Sequence, residues 1–338
     1  MEIDGTLIED TYAEAFGLRV ARLLITAESE SWAMTAARAM TGFATSIVAC
    51  GCEAGVEGPP PRRTPDGRPG VRVLLFARSP EAVRDEVVRR VGQCIMTAAT
   101  SSCWDDLPSE ETVRLGSLLR FFGDGHQTSK LLDASLGLLA TGRVDARAGG
   151  AGGGTGAPAD DAAPFRQRRI WRVPVMDGEF VVDDRCGVRK GVAGGNFLIL
   201  GRSPQATLQA ATRAVEAIGR VPGVILPFPG GIVRSGSKVG SKYRGLVAST
   251  NAPYCPTLRR TVKTALPDEV ASVLEIVIDG LGVEEVQAAM AAGIRAACGP
   301  GVVRIGAGNY GGRLGKHLLR LRPLFEGRPA GDPAGGGR

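Results

Sequence analysis

Val71–Ala82 reads VRVLLFARSPEA, and Gly195–Ala206 reads GNFLILGRSPQA. Each is an apolar run of strand length that ends in Arg-Ser-Pro. A serine oxygen can accept from a free N–H at a helix N-terminus, and proline presets the first helical φ. Both stretches therefore predict a strand running directly into a helix. The same junction in each half of the chain points to an internal duplication.

The flanking sequence extends this grammar. Before the first junction, VARLLIT (Val20–Thr26) predicts a strand, and Ser29 or Ser31 can cap a helix whose Ala33, Ala36, Ala37 and Met40 recur at helical spacing. TSIVAC (Thr45–Cys50) reads as its returning strand, and GPPPRRTPDGRPG (Gly58–Gly70) as a turn-rich connector. After the junction, Val83, Val87, Val88 and Val91 share a helix face, and QCIMTA (Gln93–Ala98) reads as the closing strand. In the second half the helix face is Leu208, Ala211, Val215 and Ile218, followed by VILPF (Val224–Phe228) as a strand. VLEIVIDG (Val273–Gly280) then leads to a helix with Val286, Met290, Ile294 and Ala297 on one face, and GVVRIGAG (Gly301–Gly308) closes the set.

Four strand–helix–strand units result, two per half. Two such units interleaved in one antiparallel sheet make the ferredoxin-like split βαβ arrangement. The expected fold class is α+β, with two ferredoxin-like lobes related by duplication, residues 1–127 and 165–325. Residues 128–164 are expected as an insertion: KLLDASLGLL reads as a short helix, and the following RAGGAGGGTGAPADDAAP is too poor in apolar residues to order itself. Residues 326–338 have the character of a flexible tail.

Composition narrows the function classes. The 338 residues can build two cores. No apolar run reaches the roughly 18 residues of a membrane span, and MEIDGTLIED does not read as a signal peptide. The seven cysteines are odd in number and mostly scattered, which reads as reduced thiols in a cytoplasm. A net charge of +6 favours acidic partners. RNA binding through tandem lobes would need exposed aromatics on central strands. Aromatics make up only 5% of the chain, and no RNP1-like pattern occurs.

Several motifs are set aside on their chemistry. GAGNYGG (Gly306–Gly312) matches G-x-G-x-x-G, but the helix and downstream acid of a dinucleotide fold do not follow; it reads as a close glycine turn. In GGIVRSGSKVGSK, Gly231 and Gly236 have phosphate-loop separation, but Ser237 stands where the lysine belongs. Its backbone N–H groups, with Lys238 and Lys242, can still hold an anion, or the loop is simply solvated. Two distant histidines and a single Cys50-x-Cys52 pair predict no metal site. Cys255 has no evident base partner.

Glu275 is the sharpest single residue. It sits in the middle of an apolar strand, on one face with Val273, Val277 and Asp279. It is either plainly exposed, or a partly desolvated carboxyl of raised pKa able to move a proton.

Taken in order, MEIDGTLIEDTYAEAF, LITAESESWAM, TGFATS, TPDGRPGV, GQCIMTA, FFGDG, PVMDGEF, GVAGGNF, PFPGGIV, SKVGSK, ASTN, YCPT, EIVIDGL and GAGNYGGRLG resemble one family, formylmethanofuran:tetrahydromethanopterin formyltransferase. The resemblance covers the chain outside 128–164 and the tail. It implies two ferredoxin-like lobes and a homo-oligomer, a tetramer, with its cleft at a subunit interface. It implies formyl transfer between N5 of tetrahydromethanopterin and the primary amine of methanofuran. Both are substrates, and no prosthetic group or metal is implied. The family's proposed catalytic glutamate falls on Glu275. Pro227, Gly230 and Gly231, then Lys238, Lys242, Ser249, Asn251 and Tyr254, become candidate substrate contacts. The Arg-, Ala- and Gly-rich composition suggests a bacterial relative, and for such a relative the resemblance implies work beside formylmethanofuran hydrolase-type subunits in formaldehyde oxidation to formate. Neither nucleic acid nor membrane is an expected partner. The chain departs from many members in its positive charge and in the long insertion after FFGDGHQ. The competing expectation is a non-catalytic tandem ferredoxin-like binding or scaffold subunit.

Overall fold

The structure, a computed structural model, describes residues 1–60, 63–133, 167–246, 248–313 and 315–326. It is a mixed α/β fold whose contacts divide it into two units. One gathers residues 1–18, 44–50 and those from 190 onward; the other gathers residues 19–43 and 51–189. These contact units are not two consecutive stretches of chain. Their boundary falls between Leu18 and Arg19, inside the strand Tyr12–Thr26.

In the unit built on residues 19–43 and 51–189, four strands pair in the order Glu53–Gly58, Gly70–Ala77, residues 19–26 of Tyr12–Thr26, and Ser102–Asp105. Gly178–Asp183 joins Ser102–Asp105 in parallel, and Gln167–Val175 and Thr128–Asp133 follow antiparallel. The helices Glu30–Thr41 and Pro80–Arg90 both lie against Gly70–Ala77. Ser29 caps the first by accepting from Trp32 N, and Ser79 caps the second by accepting from Ala82 N.

Three sequence expectations fail here for visible reasons. TSIVAC is not a strand: Ile47–Cys50 is a helical turn, with Ala49 N and Cys50 N donating to Ser46 O, and the returning strand is Glu53–Gly58. QCIMTA is not a strand either. The helix runs on through Val91–Ile95 as a wider turn, because Val83, Val87, Val91 and Ile95 continue one buried stripe at a spacing of four. The closing strand is Ser102–Asp105. KLLDASLGLL starts as strand, since Thr128–Asp133 pairs with Gln167–Val175. The rest of the insertion and the tail lie outside the described residues.

In the other unit, strands pair in the order Val224–Ile225, Ser272–Gly280, Arg189–Gly201 and Val302–Gly306. Thr6–Ile8 adds in parallel to Val302–Gly306. The strand VILPF stops after Ile225, because Pro227 has no N–H for the ladder. The helices Pro204–Ile218 and Val283–Ala297 cover one sheet face. Phe197, Ile199, Ile276 and Ile278 point into that core against Ala210, Ala211, Ala214, Met290 and Ile294. The small residues let the helices approach closely: a Cβ at Gly293 would come within 2.6 Å of Ile218. Leu208, expected inward, is 52% exposed, and Thr207 is buried in that part of the helix, donating to Ser203 O at 2.8 Å.

Candidate active site

Strand alternation puts Glu275 on the sheet face away from those helices. Its cross-strand partner is Leu198, which in turn faces Gly306 on the next strand. Leu198 and Leu200 belong to a second, smaller core with Leu266 and Val270, against which Val273, Val303 and Tyr254 pack. On its other side Glu275 is closed by the chain after the glycine turn. Val233 N donates to Glu275 O at 2.7 Å, and Glu275 N donates to Val233 O at 3.0 Å.

The half-buried Glu275 carboxyl makes no hydrogen bond or ion pair among the described residues. Burial pushes its pKa from the ordinary range up to about 7. At neutral pH it therefore populates both protonation states, the condition in which a carboxyl can both take and return a proton.

The loop that reaches Glu275 depends on two left-handed glycines. Pro227 is buried just before them. Gly230 has φ 63° and Gly231 φ 76°; a Cβ at Gly231 would also lie 2.7 Å from Leu226 and 2.9 Å from Val215. Beyond Val233 the chain forms a small hairpin in which Lys238 pairs with Ser249. Ser249 Oγ donates to Gly240 O at 2.7 Å, and Thr250 Oγ1 donates to Ser235 O at 3.3 Å. Asn251 O accepts from Tyr254 N at 3.0 Å. Tyr254 packs against the small core that includes Leu198, the residue across from Glu275, and burial followed by the Glu9 charge raises its pKa. The chain thus runs from Val233, bridged to Glu275, through the hairpin that carries Lys238 and Ser249 to Asn251 and Tyr254. Lys242 lies exposed in the hairpin turn and makes no hydrogen bond or ion pair among the described residues.

Two residues that the sequence reading passed over complete this face. Tyr310, in GAGNYGG, donates its phenol to Ser237 O at 3.1 Å, and its pKa is raised by burial and by the Glu275 charge. Glu14, buried in the strand Tyr12–Thr26, accepts from the backbone N–H groups of Tyr310 at 2.5 Å, Gly312 at 2.6 Å and Gly315 at 3.2 Å. Asn196 accepts from Gly308 N at 2.7 Å. GAGNYGG is a glycine turn, as read, and it is also a tethered one that carries a phenol. The available signal was an acid inside the apolar run YAEAF.

Among the described residues no group of three or more His, Cys, Asp and Glu could hold a metal ion, and no helix is long and apolar enough to cross a membrane. None of the seven cysteines forms a disulfide with another described residue.

A carboxyl of near-neutral pKa on a loop-covered sheet face is equipment for acid–base group transfer. Comparison with known proteins narrows this class. The sequence model of formylmethanofuran–tetrahydromethanopterin formyltransferase matches residues 1–135, and that of the proximal lobe of the same enzyme matches residues 178–324. Formylmethanofuran–tetrahydromethanopterin formyltransferases from Methylobacillus flagellatus and Methylococcus capsulatus are 47% and 48% identical, over 96% of this chain and 100% of each relative. A solved structure of the formyltransferase/hydrolase complex from Methylorubrum extorquens with methylofuran contains a chain with TM-score 0.85 and 44% identity, covering 96% of this chain and 98% of that one. The chain belongs to the formylmethanofuran–tetrahydromethanopterin formyltransferase family.

Proposed function

We propose that the chain transfers a formyl group between N5 of tetrahydromethanopterin and the primary amine of methanofuran, with Glu275 handling the proton. The observation that carries this is the half-buried, unpaired Glu275 carboxyl, lifted to about 7 by burial. When the amine attacks the formyl carbon, a C–N bond forms and the carbonyl oxygen takes up negative charge. The amine must lose a proton, and N5 must gain one as its bond to carbon breaks. A single carboxyl near neutrality can do both, first as base and then as acid. With both substrates held side by side, no covalent enzyme intermediate is needed. The Pro227–Gly231 turn, Lys238, Lys242, Ser249, Asn251 and Tyr254 would bind the substrates, and the Tyr310 phenol would donate to the oxyanion on exchanging its bond to Ser237 O.

We read each unit as a ferredoxin-like lobe. The two four-strand orders are the same, and the first helix of each is capped by a serine, Ser29 and Ser203, which supports duplication. We further place the chain in the cytoplasm, as a homotetramer associated with hydrolase-type subunits. The Methylorubrum extorquens complex supports that association.

The test is steady-state transfer from formyl-tetrahydromethanopterin to methanofuran by Glu275→Gln and Glu275→Ala. Proton transfer by Glu275 lowers kcat of the Gln variant by about 10²–10⁴-fold with little change in KM. A neutral hydrogen-bond donor would be largely replaced by Gln and lost only in Ala. The pH profile separates the roles again. A base that must be ionised gives a rate rising as pH passes about 7, and a protonated donor gives a rate falling there. Wild-type turnover in both variants would remove Glu275 from the chemistry, and a wild-type chain inactive with both substrates would favour the scaffold reading.

A further inference from the structure

Residues 19–43 and 51–189 contain a concave site chemically unlike the Glu275 face. A cavity of about 440 Å³ is lined by four arginines, Arg114, Arg120, Arg169 and Arg185. Its volume suits a small molecule. Arg114 and Arg185 are directly opposite each other in a two-stranded ribbon, a like-charge pairing that works against the ribbon's own stability. Arg169 lies two residues from Trp171 on the same strand, so both point to the same face.

The local acid supply does not balance these charges. Among the described residues Asp184 is the one carboxylate lining the cavity, and its Oδ1 accepts from the Trp171 indole at 2.7 Å. Arg185 donates to Thr112 Oγ1 and O, and Arg114 and Arg169 have no acidic partner among the described residues. Arg120 is held rather than neutralised: its guanidinium stacks over Phe121 at 4.8 Å and over Trp171 at 4.7 Å. Stacking leaves the N–H edge of the fork free to meet an oxyanion. The cavity also holds Ser117, whose Oγ is buried without a hydrogen-bond partner among the described residues. A buried hydroxyl left unpaired costs stability unless a ligand or water completes it.

We propose that this cavity is a binding site for a compact polyanion, a ligand bearing two or more carboxylate or phosphate groups. Arg114 and Arg169 supply charge at the rim, Arg120 supplies a preoriented fork, and Ser117 Oγ supplies a neutral hydrogen bond. Bound oxyanions would relieve the Arg114–Arg185 opposition, so binding should also stabilise the fold.

Calorimetric titration of the full chain at low salt, with pyrophosphate and separately with citrate, tests this. One-to-one binding of either is expected. Pyrophosphate binding alone assigns phosphate as the source chemistry, and citrate binding alone assigns carboxylate. Arg169→Gln should weaken binding about tenfold or more, the worth of one charge-assisted hydrogen bond. Arg114→Gln serves as an independent second variant, since both side chains are exposed. Arg220→Gln, an exposed cation in the other unit, should leave binding unchanged. No heat with either anion at millimolar concentration would overturn the proposal. So would binding that survives both Arg169→Gln and Arg114→Gln, or binding lost in Arg220→Gln.

Discussion

Burial lifts Asp105 and Asp183 in one unit and Glu275 in the other above the ordinary carboxyl range, and the pair and the single acid are held in opposite ways. Asp105, raised to about 7, accepts from Gly187 N at 2.9 Å and Leu107 N at 3.3 Å. Asp183, raised to about 6, accepts from Asp105 N at 2.7 Å and pairs with Arg168 at 3.1 Å. These acids hold the backbone together. Glu275 is raised to about 7 by burial alone, and its carboxyl holds nothing among the described residues. Burial shifts a pKa in either setting. Only an acid without structural bonds can change protonation during a reaction without loosening the fold around it.

The largest effect that could break this contrast is on stability. Asp105→Ala leaves the Gly187 and Leu107 N–H groups without their acceptor inside the protein, at a cost of about 1–3 kcal/mol each. Glu275→Ala removes a carboxyl whose burial is unfavourable and should leave thermal stability unchanged or slightly raised. Melting curves of the two variants should therefore separate by several degrees. Equal losses would mean that Glu275 is structural.

Glu14 tests the next step, because it is a buried acid with a structural job in service of the site. Its carboxylate collects three backbone N–H groups of the Tyr310 turn. Glu14→Gln replaces one accepting oxygen with a donor, so the turn should shift and Tyr310 with it. We expect kcat to fall about 10–100-fold, with the pH profile of the residual activity displaced because Tyr310 no longer faces Glu275. Tyr310→Phe should reproduce part of the rate loss. A uniform loss of folded protein, with kcat per folded molecule and pH profile unchanged, would make Glu14 a stability residue only.

How much of this could be read beforehand follows from the range of the forces involved. The Ser79–Pro80 and Ser203–Pro204 caps, the Ala33–Met40 face and the Val286–Ala297 face are local patterns, and they were legible. Glu275 was legible because a lone acid in VLEIVIDG is a local anomaly. TSIVAC and QCIMTA misled because short apolar runs suit helix or strand equally, and the outcome depends on partners distant in sequence. The Glu14–Tyr310 tether joins residues almost 300 positions apart, and no spacing rule reaches across that distance.

A smaller effect sharpens the comparison through pH. Asp105 and Asp183 have folded pKa values above that of a free aspartate, so between about 4 and 7 the folded state binds more protons than the unfolded state. Stability from these groups is fully present below about 4 and is lost as pH rises through about 6 to 7. The melting temperature should fall with rising pH across that window, and Asp105→Asn should flatten the slope. Glu275 contributes the same sign, so Glu275→Gln should flatten it further. A slope unchanged in both variants would show that the described burial does not govern these acids.

The smallest expected effect concerns the cations beside Glu275. Lys242 and Arg244 are exposed in the hairpin turn, and Lys238 is partly covered where it pairs with Ser249. Exposed charges act on a ligand through water and are screened within about 10 Å at 0.1 M salt. Glu275, by contrast, acts at contact range under cover, where added salt has little influence. Raising ionic strength should therefore increase KM for methanofuran a few-fold and leave kcat almost unchanged. Lys242→Gln should raise KM at low salt and remove most of its salt dependence, since the screened charge is already gone. If kcat falls with salt while KM stays flat, the sensitive charge lies in the chemical step, and Lys242 and its neighbours have no part in holding substrate.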